Sequence, residues 1–221
     1  MTGVSDLPAN PLSISLTFSH QRLWWQVDDE DHIPESWHVS ADVWEFAQCR
    51  LGAVHVADVS LVISDLRQET NLLDAVDVED WALDFIAETV IDPKQGLLHP
   101  ELDDRITDGP PRMIILRHLR LTEEWRGFGL GGVLIASVLR ALEPGARLAV
   151  CRVSALDFAH ESPDRISAEL ASVRIGQLLE RLGFERWHDV HVVDLRHPAL
   201  RRACFEAIER LADDEDSTPK Q

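Results

Sequence analysis

The sequence predicts an α/β fold, and three observations carry that prediction. The first half holds valine- and isoleucine-rich runs with partial alternation, as in "RLGAVHVADVSLVISDL", the pattern of a strand. The middle holds an apolar run, "RMIILRHLRL", that enters a glycine-dense turn and then the helix-spaced "GVLIASVLRAL". The last third alternates strand-like and helix-like stretches: "ARLAVCRVSAL", "DRISAELASVRIGQLLERLGF" and "ERWHDVHVVDL".

Taken in order, residues 1–10 read as a loose, flexible leader, with Pro8 and Pro11 marking its end. "SISLTFSHQRLWWQV" reads as a first strand, the acidic run Asp28 to Asp31 as a turn, and "WHVSADVWEFAQ" as a second strand. In "DVEDWALDFIAETVI" the apolar residues Val78, Trp81, Ala82, Phe85, Ile86 and Val90 recur at helical spacing. Asp77 is placed to cap that helix, and Pro93 lies beyond its end. Asp92 to Arg112 is dense in proline, glycine and acids and reads as an exposed excursion. Pro144 and Gly145 stop the helix after the glycine turn, and Gly183 suits a left-handed helix end. Pro198 opens a final amphipathic helix, "PALRRACFEAIERLA", and residues 213–221 read as a disordered acidic tail. Residues 11–212 show no internal repeat or boundary and are expected to form a single domain.

Charge narrows the function classes. The net charge of -18 repels phosphate backbones and anionic lipid, so neither nucleic acid nor a membrane surface is expected as a partner. It is compatible with a cationic substrate and equally with solubility alone. No window of eighteen uncharged apolar residues predicts a membrane span. The start, "MTGVSDLPANPLS", lacks the basic-then-apolar order of a secretory signal. The three cysteines, Cys49, Cys151 and Cys204, make neither a CxxC pair nor a disulfide framework. A cytoplasmic location is expected. His188 and His191 are three apart, which on a strand puts them on opposite faces, so no metal site is expected. The tryptophans cluster early at Trp24, Trp25, Trp37 and Trp44. They fit core filling first, and otherwise an aromatic wall for an acceptor or the face of a homodimer.

The densest signal is "EEWRGFGLGGVL", where Gly127, Gly129, Gly131 and Gly132 follow Arg126. Glycine permits backbone angles that a side chain forbids and lets a ligand touch the main chain. The leading N–H groups of a helix lack internal acceptors and carry the positive end of its dipole, which suits a phosphate. Arg126 can add a charge-assisted hydrogen bond. The Walker lysine is missing. Gly127, Gly129 and Gly132 do fit G-x-G-x-x-G, but without the opening βαβ unit and the acidic residue about twenty positions on. A purely structural turn is the other reading.

Arg126, Gly129 and Gly131 fit R-x-x-G-x-G, and "LRLTEEWRG" precedes them as an apolar strand. Together with "LAVCRVSAL", the late "RLGF" and "HVVDL", this order resembles the GCN5-related N-acetyltransferase (GNAT) superfamily over residues 112–196. The resemblance implies an acyl-CoA N-acyltransferase fold. Its mixed central sheet has parallel, splayed fourth and fifth strands, and helices lie on both faces. It implies an enzyme that transfers an acetyl or other acyl group from acetyl-CoA directly to an amine. Residues 12–91 match only loosely, and Glu123 stands where the family has proline.

Carried over, the main chain of Leu119, Arg120 and Leu121 would pair with pantetheine. The amides of Arg126, Gly127, Phe128, Gly129, Leu130, Gly131 and Gly132 would hold the pyrophosphate, and an N–H near Leu119 would polarise the thioester carbonyl. The family's tyrosine acid falls on Leu179 and its asparagine on Ser172, and the chain contains no tyrosine. Candidates for acid or base are His118 on the strand, Ser154 at the end of the next parallel strand, and Asp157 beyond it. The missing acid leaves a second reading open, an acyl-CoA-binding or interaction protein without catalysis.

Overall fold

The computed structural model describes residues 7–22, 34–45, 47–67, 81–158 and 163–216; at residues 81, 157 and 211–216 it describes the backbone alone. A turn at Pro11–Ser13 is capped by Asn10, whose side chain accepts the Leu12 N–H at 2.8 Å. Three antiparallel strands follow: β1 (Ile14–His20), β2 (Glu35–Val43) and β3 (His55–Asp65). Then come α1 (Trp81–Val90), the small hairpin β4 (Ile91–Asp92) and β5 (Leu97–Leu98), and the one-turn helix α2 (Pro100–Asp103). The central strand β6 (Arg112–Leu121) leads through the turn Glu123–Trp125 into α3 (Leu130–Leu142) and β7 (Leu148–Cys151). A turn at Ala155–Phe158, α4 (Arg165–Arg181), β8 (Glu185–Trp187), β9 (Val190–Asp194) and α5 (Pro198–Asp216) complete the described chain.

The seven-stranded sheet has the order β1-β2-β3-β6-β7-β9-β8. Every neighbour pairs antiparallel except β6 and β7, which run parallel. A parallel pair needs a crossover, and α3 supplies it. Ile114, Ala149 and Val193 point to one face, under Ile135 and Leu139 of α3, Leu179 of α4 and Leu200 of α5. Met113, Ile115, Leu148 and Val150 point to the other, under Leu83, Ile86 and Val90 of α1. Helices therefore cover both faces at the middle of the sheet. This explains why β6 opens and β7 runs as unbroken apolar stretches, while β1 alternates with Ser15, Thr17 and Ser19 turned outward. Each fully buried leucine or isoleucine there contributes roughly 1.5–3 kcal/mol.

Several expectations are corrected. The segment 92–112 is not an exposed excursion, because Leu98, Leu102 and Ile106 are buried in the α1-side core. Leu98 lies in β5, Leu102 in α2 and Ile106 just past it, three isolated apolar residues hidden among prolines and acids. The segment is tied down where Arg147 pairs with Asp103 and the Thr107 N–H donates to Asp194 Oδ2 at 2.8 Å. The leader is held from residue 7: Pro8 is buried, its carbonyl accepts the Arg50 N–H at 2.9 Å, and Ala9 bridges Cys49. Helix α5 runs to Asp216, four residues into the segment read as tail, because the helix propagates from the face packed on α3. His188 lies in the β8–β9 turn with φ 48°, so strand parity does not relate it to His191.

The early tryptophans share no wall among the described residues. Trp37 stacks on His20 and Trp44, 60% exposed, lies past the other end of β2, about 20 Å away by strand rise. Trp24, Trp25 and the expected cap Asp77 lie outside the described residues. Among the described residues no helix is long and apolar enough to cross a membrane.

Candidate functional site

The parallel pairing of β6 and β7 covers only Met113↔Leu148 to Leu116↔Cys151. Beyond it β7 ends, while β6 continues to Leu121 in register with β3. The parting begins at a bulge: Leu61 pairs with Leu116 and Ser60 with His118, leaving Arg117 extra. A bulge bends its strand and increases the local twist. It also resets the parity, so Leu119, opposite the buried Val59, returns to the face of Leu116. The result is a cleft of about 410 Å³ between β6, α3 and α4, walled by Leu116, Leu119, Ile135, Ile175 and Leu178.

The glycine turn stands at the mouth of this cleft. It is pinned by Trp125, which is fully buried and donates Nε1 to the Ala53 carbonyl at 2.9 Å. Gly127 and Gly129 adopt φ of 86° and 77°, the left-handed region that side chains disfavour. Gly129 ends the turn as the N-cap of α3, and no side chain caps that helix. The first-turn amides therefore lack intrahelical partners and face outward with the positive end of the dipole. At Gly131 a Cβ would sit 3.4 Å from Leu119 and 3.5 Å from Leu121, so α3 starts directly against β6.

Not every expected contact is available. The Arg126 N–H already donates to the Glu123 carbonyl at 3.2 Å, which reduces the amide set to Gly127 onward. Arg126 Nε donates to the Leu121 carbonyl at 2.9 Å, occupying one of that oxygen's two acceptor positions. The side chains of Leu130 and Phe128 pack inward beside Trp125, leaving only their main chain at the turn. Arg210 of α5 was not legible in the sequence. Its guanidinium lies 3.9 Å from where a Gly129 Cβ would be, brought there by helix packing across eighty residues.

Of the expected acid–base candidates, His118 is exposed and opposite Ser60, alternates in strand parity with Leu119, and still lines the cleft at the rim of β6. Ser154 lies past the end of β7, where its Oγ accepts the Leu156 N–H at 3.3 Å. Asp157 sits in the turn Ala155–Phe158. Ser172 donates to the Glu169 carbonyl at 2.8 Å. Leu179 is fully buried at the inner end of the cleft, and its carbonyl accepts the Phe184 N–H at 3.0 Å. With Gly183 at φ 92°, that bond closes the helix, so "GF" is a stop signal in its own right.

A second cavity of about 570 Å³ adjoins the first and shares Arg152 and Val153 with it. Ser154, Ser172, Glu180 and His191 line it. Cys151, which faces the cleft, is the cross-strand partner of His191, which faces the second cavity. One residue pair thus divides the two spaces. His191 Nδ1 is buried without a hydrogen-bond partner, and burial lowers the imidazole pKa below its ordinary value. In the sequence His191 stands out only by its three-residue spacing from His188. Among the described residues no group of three or more metal-binding side chains converges.

No protein-family model matches the chain, and no curated protein sequence does. Two solved structures overlap it at 11% identity: a KacTA–DNA complex and a tyrosine-to-phenylalanine mutant of KacT. The first has a TM-score of 0.32 and covers 90% of this chain and 99% of its own. The second has a TM-score of 0.35, with 85% and 98% covered.

Proposed function

We propose that this chain is an acyl-CoA-dependent N-acyltransferase that passes an acyl group, acetyl in the simplest case, directly to an amine. One observation carries the reading: two parallel strands part beside an uncapped helix start whose glycines leave the main chain bare. Those features fit an acyl-CoA. The amides from Gly127 to Gly132 suit the diphosphate, and Arg126 and Arg210 flank it with positive charge. The stretch of β6 around Leu119, past the end of its pairing with β7, suits an extended pantetheine, which would add there like a strand. When bound, acyl-CoA supplies an activated thioester. The apolar walls Ile135, Ile175 and Leu178 keep water from it. The net charge of -18 favours a cationic amine over a nucleic acid as the other partner.

Titration calorimetry with acetyl-CoA tests this reading, with binding expected in the micromolar range or below; no heat at submillimolar ligand rejects it. Gly129→Leu should weaken binding at least about 100-fold, since a side chain at that angle strains the turn. Unchanged circular dichroism would show that the fold survives.

A second reading has its own support. The buried Leu179 occupies the place of the family's acid, and the chain has no tyrosine. That favours an acyl-CoA-binding protein without transfer. Thiol release from acetyl-CoA, measured with a panel of amines against an enzyme-free control, separates the two; turnover with any amine removes the second.

A further inference from the structure

We propose that the second cavity receives a primary ammonium group, and that His191 Nε2 takes the proton the ammonium must lose before it can act as a nucleophile. This rests on the acyltransferase reading and names the acceptor class and the base within it.

Four observations carry it. The cavity adjoins the cleft, the two sharing Arg152 and Val153 as wall residues. His191 Nδ1 is enclosed and unpartnered, which leaves Nε2 as the ring's contact with the cavity. That edge faces Gly176 of α4, where an absent Cβ would stand 3.6 Å from Nε2. Any larger residue there would cover the nitrogen.

The charges around the ring supply the fourth observation. Glu180 of α4, Arg186 of β8, Asp189 of the β8–β9 turn and Arg152 beyond β7 surround the cavity. Arg186 approaches Asp189 at 3.8 Å and Arg152 lies over the Phe85 ring at 5.2 Å. The Glu180 carboxylate has no ion pair within the described residues and is free to hold a cation.

The step is a simple proton transfer. The ammonium N–H bond breaks, its electron pair stays on nitrogen as the lone pair, and the proton goes to Nε2. A neutral ring is required, and burial, with Arg186 nearby, lowers the imidazole pKa below its ordinary value against the opposing pull of Glu180. His191 leaves the proton to solvent through the open cavity. Glu180 is a positioning residue that holds the ammonium.

The test uses the full chain, selectively labelled with ¹⁵N-histidine and saturated with CoA, with His191→Gln assigning the ring signals. n-Butylamine, spermidine and a blocked lysine amide, added as hydrochlorides, are the probes. We expect at least one to shift the His191 signals saturably, with Glu180→Gln weakening that probe about 10-fold. Where turnover is measurable, His191→Gln should lower kcat about 100-fold and abolish the acidic limb of its pH profile. Glu180→Gln should raise the amine KM and spare kcat. Undisturbed His191 signals with all three probes, or a pH profile unchanged in His191→Gln, overturn the proposal. Acetyl-CoA affinity, measured in parallel, should be the same in wild type and both variants. Its absence in wild type would instead sink the acyltransferase reading itself.

Discussion

The two cavities meet at Arg152 and Val153 yet are built from different material. The cleft offers a ligand main-chain groups, framed by Leu116, Leu119, Ile135 and Leu178. The second cavity offers side chains: Ser154, Ser172, Glu180 and His191. Main-chain groups cannot be deleted by substitution; they can only be displaced, by changing the backbone angles or the packing that fixes them. Side-chain groups can be removed one at a time with little change of shape. The cleft should therefore be sensitive to glycine and core changes, and the second cavity to isosteric polar ones.

The largest effect expected from that difference concerns Trp125. It fills the space beneath the glycine turn, fully buried, and holds Ala53 by a hydrogen bond. Trp125→Ala should cost roughly 3–5 kcal/mol of stability, read by chemical denaturation. Trp125→Phe should retain the fold at a cost of about 1–3 kcal/mol and weaken acetyl-CoA more than any amine. Equal weakening of both ligands would erase the distinction between the two spaces.

Gly176 gives a smaller effect of the opposite kind. An alanine Cβ would make ordinary contact with His191, and glycine to alanine inside a helix stabilises by up to about 1 kcal/mol. Gly176→Ala should therefore melt a few degrees higher while binding amine probes several-fold more weakly, with acetyl-CoA affinity unchanged. A variant that is both more stable and unimpaired would argue against access through that edge.

The smallest effect comes from comparing His191 with His55, which lies outside both spaces. His55 bonds Asp42 at 2.9 Å and Asp58 at 3.0 Å, and those hydrogen bonds raise its pKa. Its contribution is fully present below the ordinary value of about 6.5 and is lost as pH rises through the folded value. The site is well exposed, so the gain is under about 1 kcal/mol. His191, with a lowered pKa, acts in the opposite sense. The folded state resists its protonation, so stability falls as pH drops below about 6.5. Melting temperatures between pH 5 and 8 should show Asp42→Asn flattening the alkaline side of the profile and His191→Gln the acidic side. Reversed signs would place the two imidazoles in the wrong environments.

Much of this was readable from residue order. The glycine turn needs its angles wherever it occurs, and its physics follows from Gly127, Gly129 and an uncapped helix start. The doubly covered strands β6 and β7 announced themselves by unbroken apolar runs. The segment 92–112 did not, because its three buried residues are few and its prolines many. His191 did not, because a histidine on a short strand gives no sign of which neighbours will bury one nitrogen and bare the other. Arg210 did not, because nothing local ties it to Gly129.

Taken alone, the sequence determined the elements and the one place where the backbone must lie bare, since period, glycine and proline act within a few residues of themselves. Tertiary structure alone decided that β6 and β7 part at Arg117, that Cys151 and His191 stand between two spaces, and that α5 returns to the glycine turn. Those outcomes depend on register and packing between segments far apart in the chain, and no local pattern encodes them.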